Sequence, residues 1–184
     1  MIIYFEGPDG AGKSTLIDAV ENELIQRNRE YGFIVHKHAE TLMPTHPKDK
    51  NRMCDIDVMQ RLYDCAYDKY TIYLIDRGLI SDWVYRLFDT YKPVCDIRTI
   101  LNVLSAIVHN DNGIIVYCNS ALAEQKMLER GDDNPIALQR HKEISHAFDL
   151  VFYDTIDYIE YDMEDGVEDG VNQIMHKLKE ITQQ

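Results

Sequence analysis

The sequence predicts an α/β fold: a three-layer, doubly wound parallel sheet of five strands with helices on both faces. Two observations carry this. Five short β-branched or aromatic runs alternate with longer segments of helical period. The first, third and fourth runs are nearly continuous apolar stretches without polar alternation, as strands covered on both faces require. At 184 residues the chain is long enough for one full hydrophobic core and too short for two ordinary domains, so a single domain over residues 1–184 is expected. With 45% apolar and 28% charged residues, the composition is that of a folded protein rather than a disordered tail.

The first strand is Ile2 to Phe5, and a helix follows from Lys13 to Asn28. Phe33 to His36 reads as the second strand. From Ala39 to Asn51 neither period holds, and two Pro fall in the stretch, which reads as a loop. A helix over Arg52 to Asp68 leads to the strand Ile72 to Ile75. Helices over Leu79 to Thr90 and Asp96 to Asn110 precede the strand Ile114 to Tyr117. Helices over Ser120 to Arg130 and Pro135 to Val151 come next, the latter opened by Asn134 as a capping oxygen and Pro135 with its preset φ. The strand Tyr158 to Tyr161 and a helix over Val167 to Thr182 complete the chain.

Nineteen Lys plus Arg against thirty-two Asp plus Glu leave a formal charge of −13, so the summed field repels polyanions unless cations gather in one place. Long duplex nucleic acid is a poor partner on this ground. No apolar run approaches the roughly 20 residues that span a bilayer, and the first apolar segment has no basic leader, so a soluble, unprocessed chain is expected. Cys54, Cys65, Cys95 and Cys118 have no C-x-x-C spacing, which points to free thiols in a reducing compartment, the cytoplasm. The histidines, among them His36, His38, His46, His109, His141 and His146, show no ligand spacing and are assigned no chemistry. The acidic run Asp162-Met163-Glu164-Asp165, with Glu168 and Asp169, reads as a solvated loop.

One segment carries chemistry. Gly7-Pro8-Asp9-Gly10-Ala11-Gly12-Lys13-Ser14 fits G-x-x-x-x-G-K-[ST] and lies between a strand and a helix, where a phosphate-binding loop must lie. Glycines at 7, 10 and 12 let backbone N–H groups turn inward as an anion nest, with Ala11 and Thr15 alongside. The helix N-terminus adds its positive end, and Lys13 supplies a point charge for terminal phosphates. Ser14 is the expected Mg²⁺ ligand. A second acidic group is required at the end of a neighbouring strand, and Asp76 closes the run Thr71-Ile72-Tyr73-Leu74-Ile75. Arg77 follows it and is placed to neutralise a transferring phosphoryl group. Cations recur around Glu129-Arg130-Gly131-Asp132-Asp133-Asn134, with Arg140 and Lys142 beyond. Residues 129–142 therefore read as a short lid that brings an arginine over phosphates.

Phe5-Glu6-Gly7-Pro8-Asp9-Gly10-Ala11-Gly12-Lys13-Ser14-Thr15 resembles the opening of the thymidylate kinases, P-loop nucleoside monophosphate kinases that make dTDP from dTMP and ATP. Asp76-Arg77-x-x-x-Ser81-x-x-x-Tyr85 is similar to that family's second signature, and Leu128-Glu129-Arg130-Gly131 to the start of its lid. The resemblance implies the P-loop kinase fold, ATP and Mg²⁺ as cofactors, a small nucleotide substrate and a homodimer, for which Leu79 to Asn110 offers an apolar face. It implies that Lys13, Arg77, Arg130 and Asp9 serve catalysis. Asp9 would bind the sugar 3′-hydroxyl, Arg77 would reach the acceptor phosphate, and Arg130 and Arg140 would be lid arginines at the donor. Ser81 and Tyr85 join the substrate set with the signature that contains them. The helix from Arg52 would carry the base-stacking aromatic, with Tyr63 and Arg61 as the matching positions, and Tyr67 or Gln60 the alternatives. The chain departs from the pattern at Gly78, which stands for an aromatic. It departs again after the second strand, where Arg-Glu-Pro-Gly is replaced by a segment keeping only Glu40 and Pro44.

Two reactions follow. In the first, ATP phosphorylates the 5′-phosphate of a deoxynucleoside monophosphate, dTMP or a related pyrimidine, and the anionic acceptor needs no base. In the second, the acceptor is an uncharged hydroxyl of a deoxynucleoside or of a modified pyrimidine in DNA, and a base such as Glu40 is required. A GTPase switch is disfavoured, because no Asn-Lys-x-Asp segment is present to read guanine.

Overall fold

The computed structural model describes residues 1–27, 34–38, 55–68, 70–88, 95–131, 135–153 and 156–183. The strands are β1 (Ile2–Glu6), β2 (Ile34–His38), β3 (Thr71–Asp76), β4 (Gly113–Asn119) and β5 (Ile159–Asp162). The helices are α1 (Lys13–Gln26), α2 (Asp55–Tyr67), α3 (Leu79–Arg86), α4 (Ile97–His109), α5 (Ala123–Arg130), α6 (Pro135–Gln139), α7 (His141–Phe152) and α8 (Val167–Thr182). The loop over Ala39 to Asn51, Glu40 with it, lies outside the described residues. So do Phe33, Arg52, Asn134 and Thr90, which bounded predicted elements.

All strand pairings are parallel and the order is β2-β3-β1-β4-β5. Every residue of β1 is buried, because this strand lies between β3 and β4 with a covered sheet face on either side. Side chains alternate across it. Ile2 and Tyr4 enter a core that includes Ile75, Leu104, Phe148 and Phe152, whereas Ile3 and Phe5 enter one that includes Leu16, Val20, Val116 and Leu178. The period of two in β1 therefore builds two cores, with α2, α3, α4 and α7 on one side and α1 and α8 on the other. On the first side, Tyr117 stacks on Phe152 with ring centroids 4.4 Å apart and donates its hydroxyl to Asp149 Oδ1 at 2.6 Å.

Three differences from the predicted helix spans stand out among the described residues. The segment expected as one helix from Pro135 to Val151 is two, broken at Arg140, whose φ of −121° and ψ of 20° are not helical. Past the break, His141 is turned inward, and its ring nitrogen meets a backbone carbonyl of the glycine-rich loop. α3 stops at Arg86 because the N–H groups of Leu87 and Phe88 bond three residues back, to Val84 and Tyr85, and so tighten the last turn. α5 starts at Ala123, after a turn in which Ser120 Oγ accepts from the Leu122 N–H at 3.1 Å. Glu168 and Asp169, grouped with the acidic run yet inside the predicted helix Val167 to Thr182, lie in the first turn of α8, where negative charge suits the helix dipole. No described helix is long and apolar enough to cross a membrane. Cys65 and Cys118 are free thiols, Cys118 fully buried.

Candidate active site

β1 and β3 end side by side, Phe5 in register with Asp76, so the loop that leaves β1 and the turn that leaves β3 converge beyond the carboxyl ends of the sheet. The loop over residues 7–12 is packed against the end of β4 and the start of α5. A β-carbon on Gly7, whose φ is 138°, would lie 2.0 Å from the Cys118 carbonyl oxygen, and one on Gly10 would lie 2.2 Å from that of Ala123. Only glycine fits such approaches. Gly12, with φ 79°, is the N-cap of α1, whose first turn has no side-chain cap, so its first N–H groups are not engaged by a capping side chain.

These elements enclose a small cavity of about 100 Å³ lined by Asp9, Gly10, Ala11, Gly12, Lys13, Ser14, Thr15, Asp76, Arg77 and Arg130. Three cationic side chains face two carboxylates there, a local positive excess in a chain of net charge −13. Such a lining suits a compact polyanion.

Lys13 is buried and its ammonium donates to the carbonyls of Gly7 and Pro8, at 2.9 and 2.6 Å. Burial, reinforced by the nearby Arg77 charge, lowers its pKa to about 7. Arg77 has φ 65°, a left-handed conformation that a side chain adopts at a cost, and its N–H is tied to Phe5 O at 2.9 Å. Its guanidinium forms an ion pair with Asp9 Oδ1 and lies over the Tyr85 ring, 5.4 Å from the centroid. Tyr85 donates its hydroxyl to Asp9 Oδ2 at 2.8 Å and accepts the Asp9 N–H at 3.1 Å. His141 Nε2 completes the set at 3.1 Å from the Asp9 carbonyl. Burial pushes the Asp9 carboxyl up, yet Arg77, Tyr85, Lys13 and Arg130 outweigh it and hold the group below the ordinary carboxylate range. Burial opposes the Arg77 charge as well, but Tyr85 and Asp9 keep it firmly protonated.

Ser14 Oγ lies 3.4 Å from Asp76 Oδ2, while Asp76 Oδ1 is buried with no hydrogen-bond partner among the described residues. A hydroxyl beside a carboxylate with an unsatisfied buried oxygen fits a hard divalent cation or its water shell.

The structure thus gathers Asp9, Gly10, Ala11, Gly12, Lys13, Ser14, Thr15, Asp76, Arg77 and Arg130 around one cavity, with Gly7 and Tyr85 directly behind it. Other predicted residues are not brought there. Ser81 is fully buried, and its hydroxyl and N–H both donate to Glu6 Oε2, so it has no group facing the cavity. Arg140 stands over the Phe88 ring at 5.8 Å and pairs with Glu143 at 3.4 Å, away from the cavity lining. Arg61 and Tyr63 are exposed on α2. Tyr63 packs against Tyr67 with centroids 4.3 Å apart, the one-turn neighbour that its spacing offers. Sequence reasoning missed Glu6 and His141. Glu6 is a charged residue ending a wholly apolar strand, which is a usable signal, whereas a histidine opening an amphipathic helix is not.

No family model matches the chain and no curated protein is similar to it. Solved structures share its fold. The YorR protein of Bacillus subtilis, in complex with phosphorylated GDP, is similar at a TM-score of 0.66 and 17% identity over 97% of this chain and 96% of that one. Shikimate kinase of Aquifex aeolicus is similar at 0.54 and 17% identity, over 97% and 96%. Deoxyadenosine kinase of M. mycoides, with products dCMP and dCDP bound, is similar at 0.51 and 19% identity, over 98% and 100%. The chain shares the α/β fold of these structures.

Proposed function

We propose that this chain is an ATP- and Mg²⁺-dependent kinase that phosphorylates the 5′-phosphate of a deoxynucleoside monophosphate, dTMP or a related pyrimidine deoxynucleotide. The observation that carries the reading is the Asp9-Arg77-Tyr85 cluster on the wall of the Lys13 cavity. It sets a fixed anion-binding guanidinium within reach of the loop that would hold the donor phosphates. The resemblance of the two signature segments to thymidylate kinases supports the pyrimidine deoxynucleotide. Reducing-compartment thiols and a homodimer belong to the same proposal.

Lys13 and the backbone N–H groups of residues 10–15 would hold the donor's terminal phosphates, and Ser14 and Asp76 the metal. Bound ATP·Mg²⁺ supplies the transferable phosphoryl group and neutralises its charge. Arg77 would align the acceptor phosphate, and Arg130 would spread the charge that builds on the transferring group. As the new P–O bond forms, the bond to the donor's β-phosphate oxygen breaks, leaving two diphosphates and no covalent enzyme species. Asp9 does not act as the base. Its carboxyl is held low and both oxygens are engaged, so it is a weak proton acceptor and serves to orient Arg77 and a sugar hydroxyl.

A second reading, transfer to a hydroxyl, draws on the similar structures named as kinases of deoxyadenosine and shikimate. It needs a base outside the described cavity, Glu40 being the residue proposed. ADP release measured with each of the four deoxynucleoside monophosphates, with thymidine and with hydroxymethylated DNA separates the two. Turnover with a pyrimidine monophosphate is the expected result. Turnover confined to thymidine or DNA would replace the first reading with the second.

A further inference from the structure

We propose that Ser81 is a positioning residue that, with Glu6, sets the acceptor-side helix against the donor loop, and that it makes no contact with the substrate. The inference rests on reading the Lys13 cavity as a kinase site. It starts from an unusual cap. The residue before α3 is Gly78, which has no side chain, so the first N–H groups of the helix have no local acceptor. β1 supplies the acceptors instead. Tyr4 Oη accepts the Leu79 N–H at 2.7 Å, and Glu6 Oε2 accepts the Ser81 N–H at 3.2 Å together with the Ser81 hydroxyl.

Glu6 is wholly buried: its Oε2 takes both Ser81 donors, as a buried carboxylate requires, while its Oε1 has no hydrogen-bond partner among the described residues. Burial pushes its carboxyl up, against the downward pull of the Ser81 and Tyr4 hydroxyls. Ser81 and Tyr85 are one turn apart and share a face of α3. Ser81 is held by Glu6 and Tyr85 by Asp9, and Glu6 and Asp9 bracket the entry of the glycine-rich loop. The helix is therefore docked at two points, on the end of β1 through Glu6 and on the loop through Asp9, with Arg77 on the turn leading into it. Phosphoryl transfer between bound partners depends on their separation and alignment, so loosening one dock misaligns the acceptor without removing a binding group.

The test compares Ser81→Ala, Glu6→Gln and wild type, by steady-state kinetics and by amide hydrogen exchange along residues 79–85. Ser81→Ala is expected to lower kcat about 10-fold with KM for acceptor and for ATP within about twofold, and to speed exchange at residues 79–81. Glu6→Gln keeps an oxygen for the Ser81 donors and should retain most of kcat. A rise in acceptor KM with kcat unchanged, or no kinetic change in Ser81→Ala, would overturn the proposal. Should wild type phosphorylate no acceptor, the kinase reading fails by itself. Exchange then decides the docking: faster exchange in Ser81→Ala upholds it and unchanged exchange rejects it.

Discussion

The phenol of Tyr4 fills the space into which a side chain at position 78 would grow: a β-carbon on Gly78 would lie 2.2 Å from Tyr4 Oη. The departure at position 78 noted in the sequence thus has a partner elsewhere in the chain. The hydroxyl that excludes the side chain is also the acceptor for the Leu79 N–H. Gly78→Ala must displace a buried tyrosine that is hydrogen-bonded, and overpacking of this kind costs about 1–3 kcal/mol. We expect a lower urea midpoint and a Tm reduced by several degrees. A Gly78→Ala variant as stable as wild type would show that Tyr4 can move freely, contrary to its complete burial.

Lys13 gives a proton-linked signature of nucleotide binding. Its pKa in the folded chain, about 7, lies below the ordinary 10.5. Between those values the unfolded chain holds a proton that the folded chain lacks. The group's contribution to stability is therefore unfavourable below about 7 and improves as pH rises toward 10.5. Phosphates bound beside the ammonium favour its charged form, so nucleotide binding at about pH 8 should take up a large fraction of one proton. Calorimetry in buffers of different ionisation enthalpy measures this uptake. It should vanish in Lys13→Met, and a wild-type enthalpy independent of buffer would contradict the assignment.

Tyr85→Phe removes the donor to Asp9 Oδ2 and the acceptor of the Asp9 N–H together. A loss of about 1–3 kcal/mol is expected, together with an acceptor KM raised about 10-fold. The ATP KM should change less, since the Lys13 contacts remain. Asp9 has the opposite linkage to Lys13. Its lowered carboxyl stabilises the fold above the ordinary pKa of 3.8, and that stabilisation is lost as pH falls through the lower folded value. Acid titrations of Asp9→Asn should therefore lack this component.

Asp76→Asn tests the metal position. It preserves the shape of a side chain with one unsatisfied buried oxygen but removes its charge. Affinity for ATP should fall about 10-fold in the presence of Mg²⁺ and stay unchanged in excess chelator. An equal loss under both conditions would move the metal elsewhere.

The sheet was legible because β1, β3 and β4 are buried on both faces and so are written as unbroken apolar runs. Their observed limits lie within two residues of the predicted ones. Helix ends were less legible. α3 closes through bonds three residues back, and the break at Arg140 accompanies a contact between His141 and Asp9, 132 positions away. The glycine-rich loop, Asp76 and Arg77 could be read because each adjoins a strand end, and parallel strands deliver their ends to one place. Arg140 could not be placed, since a charged residue near a helix break carries no mark of which neighbour it will meet. Spacing on α2 indicated that Tyr63 and Tyr67 could meet and gave no indication that they would remain exposed.

By itself, the sequence determined the alternation of strands and helices, the glycine positions that let backbone approach backbone, and the residue types that handle phosphate. These depend on periodicity, chirality and local charge, which are properties of neighbouring residues. Tertiary structure alone decided that Ser81 turns inward to Glu6, that Tyr4 stands in for a side chain at position 78, and that Asp9 is held through its amide, its carbonyl and both carboxylate oxygens. Each of those outcomes depends on which buried donor meets which acceptor once two layers close, a pairing set by burial across the fold rather than by distance along the chain.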